Sequence, residues 1–213
     1  MQDRAARTRQ LVMRAAASEF DSRGYAGSSL SRITRAAGIS VGALTFHFPN
    51  KKELAAAVCT QGHAATESTV RRVTVRQEPP LQSVASLSVA LITLLEEEVT
   101  VRAAARLSRE IPGCQPEWTS AWMPVVQDWL RARAGARTPA EGAALTSLAT
   151  FLVAGAENEI RQRAAYLDAP AGRPAQRVAH IWELMLRGLT GETGHTAPTP
   201  PSTGTAPPVT NEA

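Results

Sequence analysis

An all-helical fold is what this sequence predicts, and three observations predict it. Sustained period-2 alternation of β-branched residues, the mark of a half-buried strand, is absent, whereas apolar residues recur at helical spacing almost throughout. Alanine, the best helix former, is abundant, and glycine, proline and capping residues mostly fall between the periodic runs. The excess positive charge sits at one end: residues 1–54 carry 9 basic and 4 acidic groups, net +5, and the remainder carries 14 and 15, net −1. A short basic module on a near-neutral helical body is the charge pattern expected of a nucleic-acid-binding protein.

Taken in order, the first helix is predicted from Asp3 to Arg23, with Val12, Ala16 and Phe20 on one face and Gly24 as its stop. A short second helix opens at Ser29, aligns Leu30, Ile33 and Ala37, and ends at Gly38. A third, of two turns, begins after Ser40. Asn50-Lys51-Lys52-Glu53 reads as an N-cap followed by an acidic third residue, opening a long fourth helix toward Arg76. Glu78-Pro79-Pro80 is a break, and further helices are predicted at 81–98, 101–110, 116–134, 139–166 and 173–188. The best-defined boundary among them is the capping box Thr138-Pro139-Ala140-Glu141. The tail is rich in Pro, Thr and Gly and lacks aromatics, so it buries too little surface to offset its ordering entropy and is expected to be disordered. The chain therefore divides at sequence level into a head, 1–54, a helical body, 55–189, and a tail, 190–213.

Several classes are excluded by composition. Two cysteines, Cys59 and Cys114, make neither a disulfide framework nor a four-ligand zinc site. They read as inert thiols, with a redox switch as the lesser alternative. No apolar run approaches the roughly 20 residues of a membrane span. Met1-Gln2-Asp3-Arg4 leads into a charged amphipathic stretch without the features of a signal peptide, so a cytoplasmic location is expected and no membrane partner. His63, His180 and His195 are too scattered to hold a metal. Glu157 and Glu159, two apart on a helix, point to different faces. Glu96-Glu97-Glu98 reads as a solvated helix face. With no Ser-His-Asp set, P-loop or Gly-rich dinucleotide motif, neither enzymatic activity nor a cofactor or metal is expected.

The informative stretch runs from Leu30 to Phe48. Gly38 supplies a left-handed end to one short helix, Ile39 plugs the space between two helices, and Ser40 caps the second. This is helix-turn-helix chemistry, in which the second helix enters the major groove. Leu44 and Phe48, at i and i+4, pack that helix inward, leaving Ser40, Val41, Gly42, Thr45 and His47 on other faces.

Here a family resemblance becomes specific. The run Phe20-x-x-x-Gly24-Tyr25, Ser28-Ser29-Leu30-x-x-Ile33, Ala36-Ala37-Gly38-Ile39-Ser40-x-Gly42-Ala43-Leu44, Phe46-His47-Phe48-x-Asn50-Lys51-x-x-Leu54 resembles the N-terminal domain of TetR-type repressors over about fifty residues. The resemblance implies a three-helix DNA-binding head on a helical ligand-binding and dimerisation domain. It also implies DNA roles by position. Ser29 and Ser40 offer hydroxyls and helix-end N–H groups to phosphates, and His47 and Lys51 contact the backbone. Val41, Gly42 and Thr45 lie nearest the bases, and Arg4 and Arg7 reach phosphates or the minor groove. Two positions depart from the pattern: Thr45 stands where Tyr is common, and Val41 where relatives often have Lys. Either two phosphate or base contacts are lost and the operator differs, or both residues meet thymine methyls.

One recognition helix covers too few base pairs, so a homodimer on a palindromic site in double-stranded DNA is expected. Leu148, Phe151, Leu152 and Gly155 on one late helix, with Ile181, Trp182, Leu184 and Met185 on the last, are the candidate interface. The alternative is that half of them face the protomer's own core. Ala105-Arg106-Leu107-Ser108, the Pro112-Gly113 loop, and Trp118, Trp122 and Trp129 resemble the γ-butyrolactone autoregulator receptors, a TetR subgroup of antibiotic-producing actinomycetes. That resemblance implies a cavity capped by Trp122, with Trp118, Val126 and Phe151 around it, for a small apolar effector, a γ-butyrolactone or an antibiotic-like metabolite. The alternative is that residues 118, 122, 125, 126 and 129 form an ordinary core stripe. The expected function is a ligand-responsive repressor of secondary-metabolite genes. The rival is a ligand-blind regulator of the same fold that represses constitutively or competes with a paralogue.

Overall fold

The computed structural model describes residues 2–132, 139–162 and 172–191, and among these every regular element is helical. The order is α1 (Gln2–Gly27), α2 (Leu30–Ala37), α3 (Val41–His47), α4 (Lys51–Thr74), α5 (Pro80–Glu97) and α6 (Val99–Glu110). A 3₁₀ turn (Trp118–Ala121) follows, then α7 (Met123–Ala132), α8 (Pro139–Gln162) and α9 (Pro174–Gly191). The side chain of Arg4, the Thr138 cap and the tail beyond Gly191 lie outside the described residues.

Local chemistry accounts for the head. Ser29, Ser40 and Asn50 each adopt extended backbone and accept the third following N–H, from Arg32, Ala43 and Glu53 respectively. Gly38 ends α2 in the left-handed conformation, its N–H returning to the Arg35 carbonyl. Val12, Ala16 and Phe20 of α1, Ile33 of α2, and Leu44 and Phe48 of α3 are buried together. Leu54, Ala55, Val58 and Cys59 of α4 and Ala103 and Leu107 of α6 share that core. A second core joins α5, α7, α8 and α9 around Leu87, Leu91, Leu95, Trp122, Val153 and Trp182.

The two cores meet through α6, which packs most extensively against α4 and α1. Close approach of α4 and α6 depends on Gly62: a Cβ there would lie 2.4 Å from the Ala104 Cβ and 2.9 Å from the Thr100 carbonyl. At the other contact, Gly24 stops the regular run of α1, as its position suggests. Helical turns resume to Gly27 beyond a kink, where Gly24 has φ 70° and ψ −179°. A side chain at Gly24 would be strained by that backbone and would strike the Glu110 carboxylate at 2.4 Å. The space is taken because Glu110 accepts the Tyr25 N–H at 2.5 Å, Arg106 Nη1 donates to the Asp21 carbonyl at 2.7 Å, and Arg102 Nε donates to the Asp21 carboxylate at 2.8 Å.

Three expectations are corrected. The helix predicted over 116–134 divides into the 3₁₀ turn and α7, with Trp122 at the junction in a non-helical conformation, φ −134°. The last helix extends to Gly191 rather than ending near 188. Glu96 is not a solvated residue: its side chain is 9% exposed and accepts from Arg173 at 2.6 Å and from the Ala175 N–H at 3.1 Å, tying α5 to the first turn of α9.

Candidate nucleic-acid interface and ligand cavity

The outward side of the head is built by α3 and the caps that flank it. Helical spacing puts Val41 and Thr45 on one line of α3 and Gly42 and Phe46 on the next, and all four are exposed. Phe46 is 82% exposed and Val41 54%. Phe46 was not singled out from sequence, although its spacing from Gly42 places it on the same arc. Its ring meets His47 edge-on at 5.2 Å, while Leu44 and Phe48 face inward. The Thr45 hydroxyl donates to the Gly42 carbonyl at 3.1 Å, so outward it has a methyl group and an acceptor lone pair to offer. Ser29 and Ser40 each accept one backbone N–H as caps; the Ser29 hydroxyl also shares a hydrogen bond with Ser31 Oγ at 3.1 Å, and Ser40 keeps a hydroxyl proton to donate. Arg7 is exposed on α1.

Lys51 is placed differently from a free cation. Its ammonium donates to the Tyr25 carbonyl at 2.6 Å and the Ser28 carbonyl at 3.0 Å, and lies 4.4 Å from the centre of the Tyr25 ring. It therefore closes the turn between α1 and α2 and has one N–H left for anything else.

In the body, a cavity of about 280 Å³ opens between α6, the 3₁₀ turn and α8, with Ser108, Arg109, Trp118, Trp122, Val153 and Glu157 among its lining. Larger hollows of about 610 Å³ and 380 Å³ lie between α1 and α4 and between α5 and α9. The smaller one is distinguished by a wall of two tryptophans with an Arg–Glu pair at its edge, although the α5–α9 hollow is also bordered by a buried, unpaired indole, that of Trp182. Trp122 is 1% exposed, yet its indole N–H has no hydrogen-bond partner. A buried donor left unpaired costs about 1–3 kcal/mol. Trp118 beside it, ring centres 5.9 Å apart, is satisfied: its indole donates to Thr66 Oγ1 of α4 at 2.9 Å, and its backbone N–H donates to Ser108 Oγ at 3.1 Å. At the cavity edge Arg109 pairs with the buried Glu157 through two hydrogen bonds, 2.5 and 2.6 Å, while remaining half exposed. Neither Arg109 nor Glu157 was assigned to this site from sequence, because the pairing spans 48 residues and two helices.

Of the other residues assigned to the cavity from sequence, Val126 is buried in the second core outside the lining, and Phe151 points outward, 72% exposed. The helical phase of α8 explains this: Ala149, Val153, Ala156 and Glu157 turn inward, leaving Phe151 on the opposite side. Among the candidate interface residues, Phe151, Leu184 and Ile181 are exposed at 72%, 53% and 39%, and Leu148, Leu152 and Met185 are half-buried. No atom lies within 4 Å of a Cβ built on Gly155. Trp182 is turned away from that face. It is 1% exposed within the protomer's own core, so it has no surface to give a partner. Its indole N–H is also unpaired. No cluster of three or more metal-ligating side chains occurs among the described residues, and no described helix is long and apolar enough to cross a membrane.

A helix-turn-helix head of three helices, continued by a long α4 into a helical body, defines a class: this is the TetR-family fold. Residues 12–58 match the family described as bacterial regulatory proteins, tetR family, and so form a TetR-type N-terminal domain. The chain is 34% identical to the A-factor receptor protein of Streptomyces griseus over 109 residues, 51% of this chain and 37% of that protein, so the match spans little more than a third of the relative's length. It is also similar to a γ-butyrolactone receptor of known structure, an ArpA-like protein, with TM-score 0.68 and 25% identity, covering 87% of this chain and 89% of that one. A comparable likeness is to CprB, a TetR family protein of Streptomyces coelicolor, with TM-score 0.69, 26% identity and coverage of 87% and 89%. CprB has also been solved in complex with its biological operator sequence.

Proposed function

We propose that this protein is a ligand-responsive repressor that binds a palindromic operator as a homodimer and releases it when a small acceptor-bearing apolar effector, γ-butyrolactone-like or antibiotic-like, enters the body. The observation that carries the reading is the buried, unpaired indole N–H of Trp122 in the wall of the α6–α8 cavity. A lactone, ester or ketone oxygen is the matching partner, and the apolar neighbours suit the rest of such a molecule. Similarity to γ-butyrolactone receptors supports the same ligand class, and with it control of secondary-metabolite genes.

The route to DNA is short. Trp118, in the same wall, is hydrogen-bonded to Thr66 of α4, and the first turn of α4 carries Asn50 and Lys51 beside the recognition helix. An effector that displaces Trp118 therefore acts on α4, tilting each head so that the two recognition helices no longer match major grooves about 34 Å apart. On the operator, Val41, Gly42 and Thr45 read bases, with the Thr45 methyl suited to thymine. Ser29, Ser40, His47, Arg4 and Arg7 hold phosphates, and Lys51 adds its remaining N–H. The exposed apolar residues Phe151, Ile181 and Leu184, with Leu148, Leu152, Gly155 and Met185, support a dimer made by α8 and α9.

The test is an operator selected from random duplexes, followed by anisotropy titration with γ-butyrolactones and with antibiotics. Release at micromolar effector supports the reading, and operator affinity untouched by every candidate counts against it. One observation favours the ligand-blind alternative: about 280 Å³ is at the small end for a ligand site, and both tryptophans already stand in it. Under that alternative the operator still binds, and no effector releases it.

A further inference from the structure

The only two cysteines of the chain, Cys59 and Cys114, are 55 residues apart in sequence and meet in the fold. Their sulfurs lie 3.2 Å apart, both buried, inside the core that joins the head to α6. Cys59 is held in the middle of α4. Cys114 stands in the non-helical segment between α6 and the 3₁₀ turn, four residues before Trp118 of the cavity wall. We propose that this pair is a redox modification site, at which a peroxide converts the two thiols into an intramolecular disulfide that staples α4 to the segment leading into the cavity wall.

Three observations carry it. A disulfide needs sulfurs at about 2.05 Å, so roughly 1 Å of approach completes the bond. That movement falls on Cys114, whose segment belongs to no helix and turns at Gly113, where φ is 72° and nothing lies within 4 Å of a built Cβ. Neither sulfur serves a metal, since no ligating cluster exists among the described residues, and packing alone at these positions asks only for a small apolar side chain. The two thiols also differ in kind. Burial above all, with the hydrogen bond and charge of the Cys114 sulfur behind it, pushes the Cys59 thiol well above its ordinary range, so Cys59 stays protonated. Cys114, 8% exposed against 0% for Cys59, is the thiol that a small oxidant reaches first.

The chemistry balances in two steps. The Cys114 sulfur attacks one oxygen of hydrogen peroxide; the O–O bond breaks, and the leaving hydroxide takes up the thiol proton of Cys114, giving a sulfenic acid and one water. The Cys59 sulfur then attacks the Cys114 sulfur, the S–O bond breaks, and hydroxide leaves with the Cys59 proton as a second water. Two thiols are oxidised and one peroxide is reduced, with no further reactant. The functional consequence rests on the reading given under Proposed function: with α4 tied to the segment ahead of Trp118, effector binding no longer shifts α4, and the oxidised protein stays on its operator.

The experiment uses the full chain, reduced or treated with hydrogen peroxide, then unfolded and titrated for free thiols. The expected result is loss of both thiols, a mass lower by two hydrogens, a monomer on a non-reducing gel, and a peptide joining Cys59 to Cys114, all reversed by dithiothreitol. The melting temperature should rise by several degrees on oxidation in the native protein and in neither Cys114→Ala nor Cys59→Ala. Both thiols surviving a peroxide dose that oxidises a free dithiol, oxygen added to Cys114 without a bridge, or a disulfide between two chains would each overturn the proposal. In the operator assay the oxidised protein should need at least tenfold more effector for release, and equal release by both forms would sink the regulatory consequence. If the reduced protein responds to no effector, it is the ligand reading that fails; the thiol count stands or falls separately, without DNA or ligand.

Discussion

Lys51 shows how a residue can fit a DNA-binding pattern and still have another task. A lysine next to a recognition helix reads as a phosphate contact, but two of its N–H groups bind the Tyr25 and Ser28 carbonyls where α1 turns into α2. Hydrogen bonds from a charged donor are worth about 1.5–3 kcal/mol each when buried, and less at this half-buried site. Lys51→Met should therefore lower stability by about 1–2 kcal/mol, read as a shifted urea midpoint at unchanged slope, along with its effect on operator affinity. A lysine serving only phosphates would leave the midpoint alone. Trp122 gives the opposite case. Trp122→Phe removes an unpaired buried N–H, a gain of about 1–3 kcal/mol that offsets the loss of part of a buried ring. Stability should therefore change by less than about 1 kcal/mol, while effector affinity falls by up to about tenfold in calorimetry. Equal losses in both quantities would make Trp122 a packing residue alone.

At the scale of elements, α6 is the joint between the two cores. One side carries Arg102, Arg106 and Glu110 against the kinked end of α1, and another lines the cavity with Ala105, Ser108 and Arg109. Gly24→Ala meets both a left-handed backbone and the Glu110 carboxylate, and should cost about 2–4 kcal/mol, seen as a lowered melting temperature. Glu110 also makes the joint sensitive to acid. Burial by itself would raise its pKa, but the Arg106 hydrogen bond, the Tyr25 N–H and the charges of Arg106 and Arg109 outweigh that and hold it below the ordinary 4.5. A depressed carboxylate pKa adds stability that is fully present above the ordinary value and is lost as pH falls through the lowered one. Melting temperatures measured from about pH 6 down to about pH 3 should thus fall more steeply in the native protein than in Glu110→Gln. Parallel curves would remove Glu110 from the joint.

For the whole molecule, the decisive question is what covers the outer faces of α8 and α9. Phe151, Ile181 and Leu184 leave large apolar surface in water, and a second copy is the occupant under the function proposed above. Phe151→Glu combined with Leu184→Glu should give monomers in sedimentation velocity and lower operator affinity by at least tenfold, with the helical circular dichroism spectrum retained. A variant that stays dimeric would move the interface elsewhere. The charge distribution bears on the same question: the net +5 of residues 1–54 implies that operator affinity falls steeply with salt, each phosphate contact adding about 0.9 to the slope of log affinity against log salt.

Local chemistry determined what the sequence alone could reveal: helices from apolar spacing, the head from Gly38, Ile39 and Ser40 with Leu44 and Phe48, and the caps at Ser29, Ser40 and Asn50. Each depends on residues within about one or two helical turns, so spacing is enough to read them. Tertiary structure decided everything that joins distant segments. It turned Trp182 inward and Phe151 outward, which spacing left open because an apolar stripe serves a core or an interface equally well. It tied Lys51 to the α1–α2 turn, set Glu110 on the Tyr25 N–H, paired Arg109 with Glu157, and brought Cys59 to Cys114. Those contacts cross 26, 85, 48 and 55 residues, and no local rule of periodicity or capping encodes which helix faces which. Packing of α6 against α1 and α4 does, through Gly24 and Gly62, where a side chain would have no room.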